Sequence, residues 1–113
     1  MADHLELGRW GEDLAARWYV RHGYRVLARN WRCPSGELDL VVGQRRLVVV
    51  CEVKARRTDA FGPAAVAVGP DKQRRLRRLA AEWLRQSGAR GVDVRFDVVA
   101  ITGRRLEVIY AAF

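Results

Sequence analysis

Two strand-like runs, Glu37 to Val42 and Leu47 to Lys54, are separated only by Gly43-Gln44-Arg45-Arg46, and this pair constrains the fold more than any other feature of the chain. Both runs are rich in Val and Leu, which suits a pleated, half-buried surface. So short a connection closes an antiparallel hairpin through a turn at 43–46. The apolar stretch Leu47 to Cys51 is far too short to span a bilayer, which takes about 20 residues. It reads instead as a central strand, and an internal strand that ends in Glu52-Val53-Lys54 carries charges that need partners.

The rest of the chain arranges itself around this hairpin. Leu7, Gly11, Leu14, Ala15 and Trp18 recur at three- and four-residue spacing, which predicts a helix over about 5–21, stopped by His22-Gly23. Tyr24 to Trp31 alternates and reads as a strand, with a turn at 32–36. After a loop at 56–62, Gly69-Pro70 opens a second helix whose stripe is Leu76, Leu79, Ala80, Trp83 and Leu84, ending near Ser87-Gly88. Val92 to Ile101 and Leu106 to Tyr110 complete an α/β domain of order α-β-β-β-α-β-β, with about five strands in a mixed sheet flanked by helices. At 113 residues, half of them hydrophobic, the chain reads as one domain over 1–113. Trp10, Trp18 and Trp83 lie on or beside helical stripes and are expected in the core; Trp31, before the turn, is expected to be exposed. Cys51 reads as a buried small hydrophobe and Cys33 as a loop residue, with no Cys/His spacing for zinc.

The formal net charge is +8. A partner with a negative surface is expected, nucleic acid ahead of an anionic membrane. The polar N-terminus has no signal-peptide core, so the expectation is a cytoplasmic protein without a membrane partner. Of the 21 basic residues only Lys54 and Lys72 are lysines; the other nineteen are arginines. Arg is a permanently charged planar fork, whereas Lys is a compact ammonium whose pKa shifts on burial. A lysine retained among arginines points to a position that needs a point charge or a titratable amine, above all at Lys54 beside Glu52.

Alternation puts Glu37, Asp39 and Val41 on one strand face, and Val48, Val50, Glu52 and Lys54 likewise on one. With the turn at 43–46, Asp39 is expected opposite Val50, Glu37 opposite Glu52, and Glu52 one diagonal step of roughly 7–8 Å from Asp39. Two carboxylates so placed can converge on Mg²⁺ or Mn²⁺, the hard cations that take one or two carboxylates plus waters and substrate phosphate. The candidate metal ligands are therefore Asp39 and Glu52. Lys72, on the inward stripe of the second helix, can reach a phosphate near them, and Gln73, Arg74, Arg75 and Arg56 are the candidate nucleic-acid contacts, with further arginines at 57, 77, 78, 85, 104 and 105.

Asp39 followed by Glu52-x-Lys54 resembles the signature of the PD-(D/E)xK nuclease superfamily, although Leu38 stands where that signature usually has Pro. The further series Gly8-x-x-Gly11-Glu12-x-x-Ala15, Gly23-Tyr24, Arg29-Asn30, Gly36-Glu37-x-Asp39-Leu40, Glu52-Val53-Lys54-x-Arg56, Phe61-Gly62 and Ala67-Val68-x-Pro70-x-Lys72-Gln73 resembles the small bacterial YraN-type family, similar in pattern to archaeal Holliday-junction resolvases. The resemblance implies a restriction-endonuclease-like fold and marks Glu12, Asp39, Glu52 and Lys54 as catalytic. It also implies a nucleic-acid substrate, DNA ahead of RNA and branched DNA among the candidates, and a homodimer that makes symmetric cuts. The functional expectation is a metal-dependent nuclease. Its rivals are a nuclease fold that grips nucleic acid without cutting, and a protein-interaction adaptor.

Overall fold

In the computed structural model, which describes residues 2–57 and 68–113 with side chains from Glu6 onward, the expected order of elements is observed. Helix α1 (Ala2–Arg21) leads into β1 (Arg25–Cys33), β2 (Gly36–Gln44) and β3 (Leu47–Arg56); α2 (Pro70–Ser87) then carries the chain to β4 (Asp93–Thr102) and β5 (Arg105–Ile109). The family positions at Phe61-Gly62 and Ala67, and most of the loop expected at 56–62, lie outside the described residues.

The helix limits follow local chemistry. α1 stops where Gly23 takes a φ of 87°. α2 has Gly69 at its N-cap and Pro70 in its first turn, and Gly88, at φ 75°, returns its N–H to the Leu84 carbonyl at 3.1 Å. The strands form one sheet in the order β1-β2-β3-β4-β5, so β3 is the central strand. Every neighbouring pair is antiparallel except β3–β4, which is parallel from Leu47↔Asp93 to Arg56↔Thr102 and bridged by α2.

Each helix covers one face of the sheet. Ala15, Ala16 and Tyr19 of α1 pack on Leu40, Val42, Val49, Cys51, Val99 and Ile101. Leu76, Leu79, Ala80 and Trp83 of α2 pack on Leu38, Val41, Val48, Val50 and Phe96. Each large apolar side chain buried this way contributes about 1.5–3 kcal/mol. Both cysteines are free; Cys51 is buried, and Cys33 ends β1 rather than lying in a loop. Trp83 is in the core on the α2 side and Trp18 packs against the core on the α1 side, but Trp10 is 42 % exposed. Trp31 is half-buried on the α2 side because β1 continues two residues further than the alternation suggests. Among the described residues no helix is long and apolar enough to cross a membrane.

The hairpin turn differs from expectation. It is Arg45-Arg46, with Gln44 paired to Leu47 and Arg45 at φ 54°. Gly43 lies inside the strand because Leu27 packs over it: a Cβ there would come within 2.8 Å of Leu27 Cδ1. The register consequently slides by two. Val41, not Asp39, faces Val50, and Leu40 faces Cys51. Glu37 pairs across to Arg32 on β1, with Oε2 2.8 Å from Nε, rather than opposing Glu52. A two-residue slip preserves which face each residue occupies.

Gly11 sets how closely α1 approaches the sheet. A Cβ at Gly11 would lie 2.7 Å from the Ala55 Cβ, whereas one at Gly8 would meet nothing within 4 Å. Gly11→Ala is therefore expected to lower stability by about 1–3 kcal/mol through overpacking. Gly8→Ala should instead raise it by up to about 1 kcal/mol through helix propensity. Urea unfolding of the two variants beside the parent reads both signs; a stabilised Gly11→Ala would contradict the close approach.

Candidate active site

Past Leu40↔Cys51 the sheet forks. β3 stays paired with β4 as far as Arg56, while β2 stays paired with β1 as far as Gly36, and the β2–β3 pairing ends. Leu38, whose parity would place it with Leu40 on the α1 side, packs with α2 residues instead, so β2 turns over at this point. Asp39 fills the opening: its Oδ2 accepts the Val53 backbone N–H at 3.0 Å, satisfying a donor that the departing strand leaves behind.

Opposite the turnover on β1 stands Asn30, at φ 50°. Asn tolerates this left-handed conformation better than most residues. Its Nδ2 donates to Glu12 Oε1 at 3.0 Å and so ties the α1 carboxylate to the fork. Sequence reasoning assigned no role to Asn30 itself. The available signal was a poor strand former in the middle of a strand.

Glu52 and Lys54 occupy the α2 side of β3. Glu52 is 8 % exposed, and its Oε2 lies 3.2 Å from the Nζ of Lys72, in the first turn of α2. The structure thus brings together Glu12, Asp39, Glu52, Lys54 and Lys72 from four separate elements. The two retained lysines turn out to be neighbours.

The electrostatics follow from this crowding. Burial pushes the Asp39 carboxyl well above the usual carboxylate range. A hydrogen bond to Glu52 and the Glu52 charge push it further, Glu12 adds to the effect, and the Val53 N–H opposes it. Lys54 is drawn down, first by burial and then by the adjacent Lys72 amine, against the pull of Glu52 and Asp39. Lys72 is net raised: burial acts to lower it, but its contacts with Lys54 and Glu52 outweigh that. Of the two amines, Lys54 gives up its proton more readily.

Asp39 and Glu52 fit a hard divalent cation. Both present oxygen donors, they stand close enough for Glu52 to disfavour ionisation of Asp39, and Lys72 pairs directly with Glu52. Among the described residues no group of three or more His, Cys, Asp or Glu is placed to hold a metal. The protein would therefore supply a partial oxygen shell, as Mg²⁺ sites commonly do.

The remaining candidates disperse. Gln73 donates to the Val68 carbonyl at 3.1 Å and braces the entry to α2. Arg74 pairs with Asp71 on its own helix. Arg77 lies over the rings of Phe96 and Phe113, at 4.9 and 5.5 Å. Arg56 ends β3, where its carbonyl accepts the Gly103 N–H. Arg75 faces a groove beside the β1–β2 turn.

Residues 11–101 match the model of a family described as "Uncharacterised protein family UPF0102", a span that includes every member of the cluster. Relatives described as UPF0102 proteins include one from Mycolicibacterium vanbaalenii, 54 % identical over 101 residues, covering 88 % of this chain and 84 % of that protein. One from Rhodococcus jostii is 52 % identical, covering 89 % and 86 %. A more distant one from Syntrophus aciditrophicus is 39 % identical over 117 residues, covering 100 % and 92 %. The YraN-type resemblance in the sequence is thereby borne out, and the chain belongs to the UPF0102 family.

Proposed function

We propose that this protein is a metal-dependent nuclease of the PD-(D/E)xK type that hydrolyses phosphodiester bonds of nucleic acid, DNA first. The observation that carries the reading is the pair of half-buried Asp39 and buried Glu52 at the sheet fork with two lysines beside it. A protein that only gripped phosphates would gain nothing from buried carboxylates facing them. Lys72 pairs with Glu52, and Asp39 keeps a raised pKa although both lysines stand near it.

In this reading Asp39 and Glu52 hold Mg²⁺ or Mn²⁺, which when bound supplies Lewis acidity toward a phosphate oxygen and acidifies water in the site. Lys54 places its Nζ where charge develops on the phosphate, and its lowered pKa also lets it exchange a proton there. Lys72 exchanges its contact with Glu52 for the substrate phosphate. Glu12, held by Asn30, completes the acidic rim.

Calorimetric titration of Mn²⁺ tests the ligand set without any substrate. The parent protein should bind one ion, and Asp39→Asn should lose most of that affinity. Because Asp39 is protonated more readily than an ordinary carboxyl, it must shed that proton to hold a cation. Affinity is therefore expected to rise as pH increases through neutrality. Equal binding by parent and variant would move the metal site elsewhere.

A further inference from the structure

We propose that the groove between α2 and the β1–β2 turn is the track along which a nucleic-acid strand reaches the site, with Arg75 and Arg78 holding phosphates beyond Lys72. The inference rests on the nuclease reading and adds to it the surface that carries the substrate and the direction in which it leaves.

The groove is lined by Ser35, Arg75, Arg78, Ala81, Glu82 and Arg85, and its cavity volume is about 400 Å³. One wall is the β1–β2 turn, which rides close on the helix: a Cβ at Gly36 would lie 3.3 Å from Leu79 Cδ1 and 4.0 Å from the Arg75 Cδ. The other wall is α2, which contributes Arg75, Arg78, Ala81, Glu82 and Arg85, while Lys72 lies just before the groove. Lys72, Arg75 and Arg78 follow one another at three-residue steps, which advance about 4.5 Å each along a helix. The line starts at the site itself, since Lys72 Nζ touches Glu52. Phosphates of one strand in a duplex recur about every 3.4 Å of axis, so three such cations span two or three of them.

Within α2, partner assignments single these two arginines out. Arg74 is taken by Asp71, Arg77 by the two phenylalanine rings, and Arg85 by Glu82 at 3.1 Å. Among the described residues Arg75 and Arg78 have neither an ion pair nor a hydrogen bond. The Glu82–Arg85 pair makes the far end of the groove neutral, so the attractive stretch lies next to the site. A second concavity, between α1 and β1, is lined by Asp13, Ala16, Arg17, Val20, Arg21 and Arg29; its Arg17 and Arg21 have no ion pair or hydrogen bond among the described residues either, but none of its lining residues belongs to the site. Its Arg29 is paired with Asp13 at 2.6 Å and its Val20 is largely exposed.

The test is fluorescence anisotropy of labelled duplex and single-stranded DNA over a salt series in EDTA. It compares the parent with Arg75→Gln/Arg78→Gln, and with Arg17→Gln/Arg21→Gln on the α1 side. Each phosphate contact contributes about 0.9 to the slope of log K against log salt on duplex, and about 0.7 on a single strand. Losing both groove arginines should flatten the slope by about 1.8 or 1.4 respectively. All four residues are at the surface, so both double variants should keep the parent's unfolding midpoint, and the α1 pair should keep the parent's slope. A parent that binds while the groove variant shows an unchanged slope overturns the track and leaves the nuclease reading standing. Flattening by the α1 pair instead moves the track to the other face. A parent that binds neither DNA overturns both.

Discussion

Asp97→Ala is expected to cost about 3–5 kcal/mol of stability, the range for removing one partner of a buried ion pair. Asp97 is fully buried on β4. Its Oδ1 accepts from Arg95 Nε at 2.8 Å and from the Ala111 N–H at 3.0 Å. Its Oδ2 accepts from Tyr19 Oη at 2.7 Å and Arg95 Nη2 at 2.9 Å. The truncated side chain would leave a half-buried guanidinium, a buried phenol and a backbone N–H without their acceptor. Burial first, then Cys51 and Asp97, hold the Tyr19 phenol more firmly protonated than usual, and the hydrogen bond to Asp97 does the same for the Arg95 guanidinium. Set against a typical total of about 5–15 kcal/mol, the loss removes a large part of the stability of a domain this size. Asp97→Asn, which keeps the shape and one accepting oxygen, should cost less. Urea unfolding with an unchanged m-value checks both; a loss for Asp97→Ala no larger than the roughly 0.5 kcal/mol of a surface substitution would show that the network stabilises nothing.

Asp97 also marks where the sequence stops being legible. The strand around it is readable from alternation, but its burial depends on Tyr19 in α1, 78 residues away, and on the backbone at Ala111 after β5. No local pattern contains either. The element order, the central place of β3 and both helix ends were legible because each follows from periodicity, a Gly in the left-handed region or a Pro at a first turn. Strand register was not. It depends on which residues form the turn, and Gly43 reads as a turn residue although it is a strand residue beneath Leu27. Since the error was even, Glu52 and Lys54 kept their face. Asp39 was placed with them by the same parity, yet it contacts β3 because β2 breaks away there, which alternation does not encode. The nearness of Lys72 to the site was legible from the inward stripe of its helix and from two lysines surviving among arginines, but its contact with Glu52 was not. Glu12 entered through resemblance, and the Asn30 hydrogen bond that holds it needs the fold to be seen.

The second large effect is at Lys54. Lys54→Arg is expected to slow cleavage by roughly 10²–10³, the typical result of losing one donor placed where charge develops. The substitution preserves the summed positive field on which nucleic-acid binding depends, so affinity should stay near that of the parent. It replaces a compact ammonium with a bulky planar fork in a space already shared with Lys72, Glu52 and Asp39. It also replaces an amine that burial and Lys72 bring closer to neutrality with a group that does not give up its proton. Charge alone is conserved; shape and acidity are not.

Single-turnover cleavage of single-stranded, duplex, flap and four-way DNA tests the account most directly, run with Mg²⁺, Mn²⁺ or EDTA for the parent and Lys54→Arg, with binding measured on the same substrates. The account predicts metal-dependent cutting of at least one substrate by the parent, none in EDTA, and a Lys54→Arg protein that binds nearly as well but cuts roughly 10²–10³ more slowly. No cutting of any substrate by the parent, cutting that survives EDTA, or Lys54→Arg cutting at the parent's rate would contradict it.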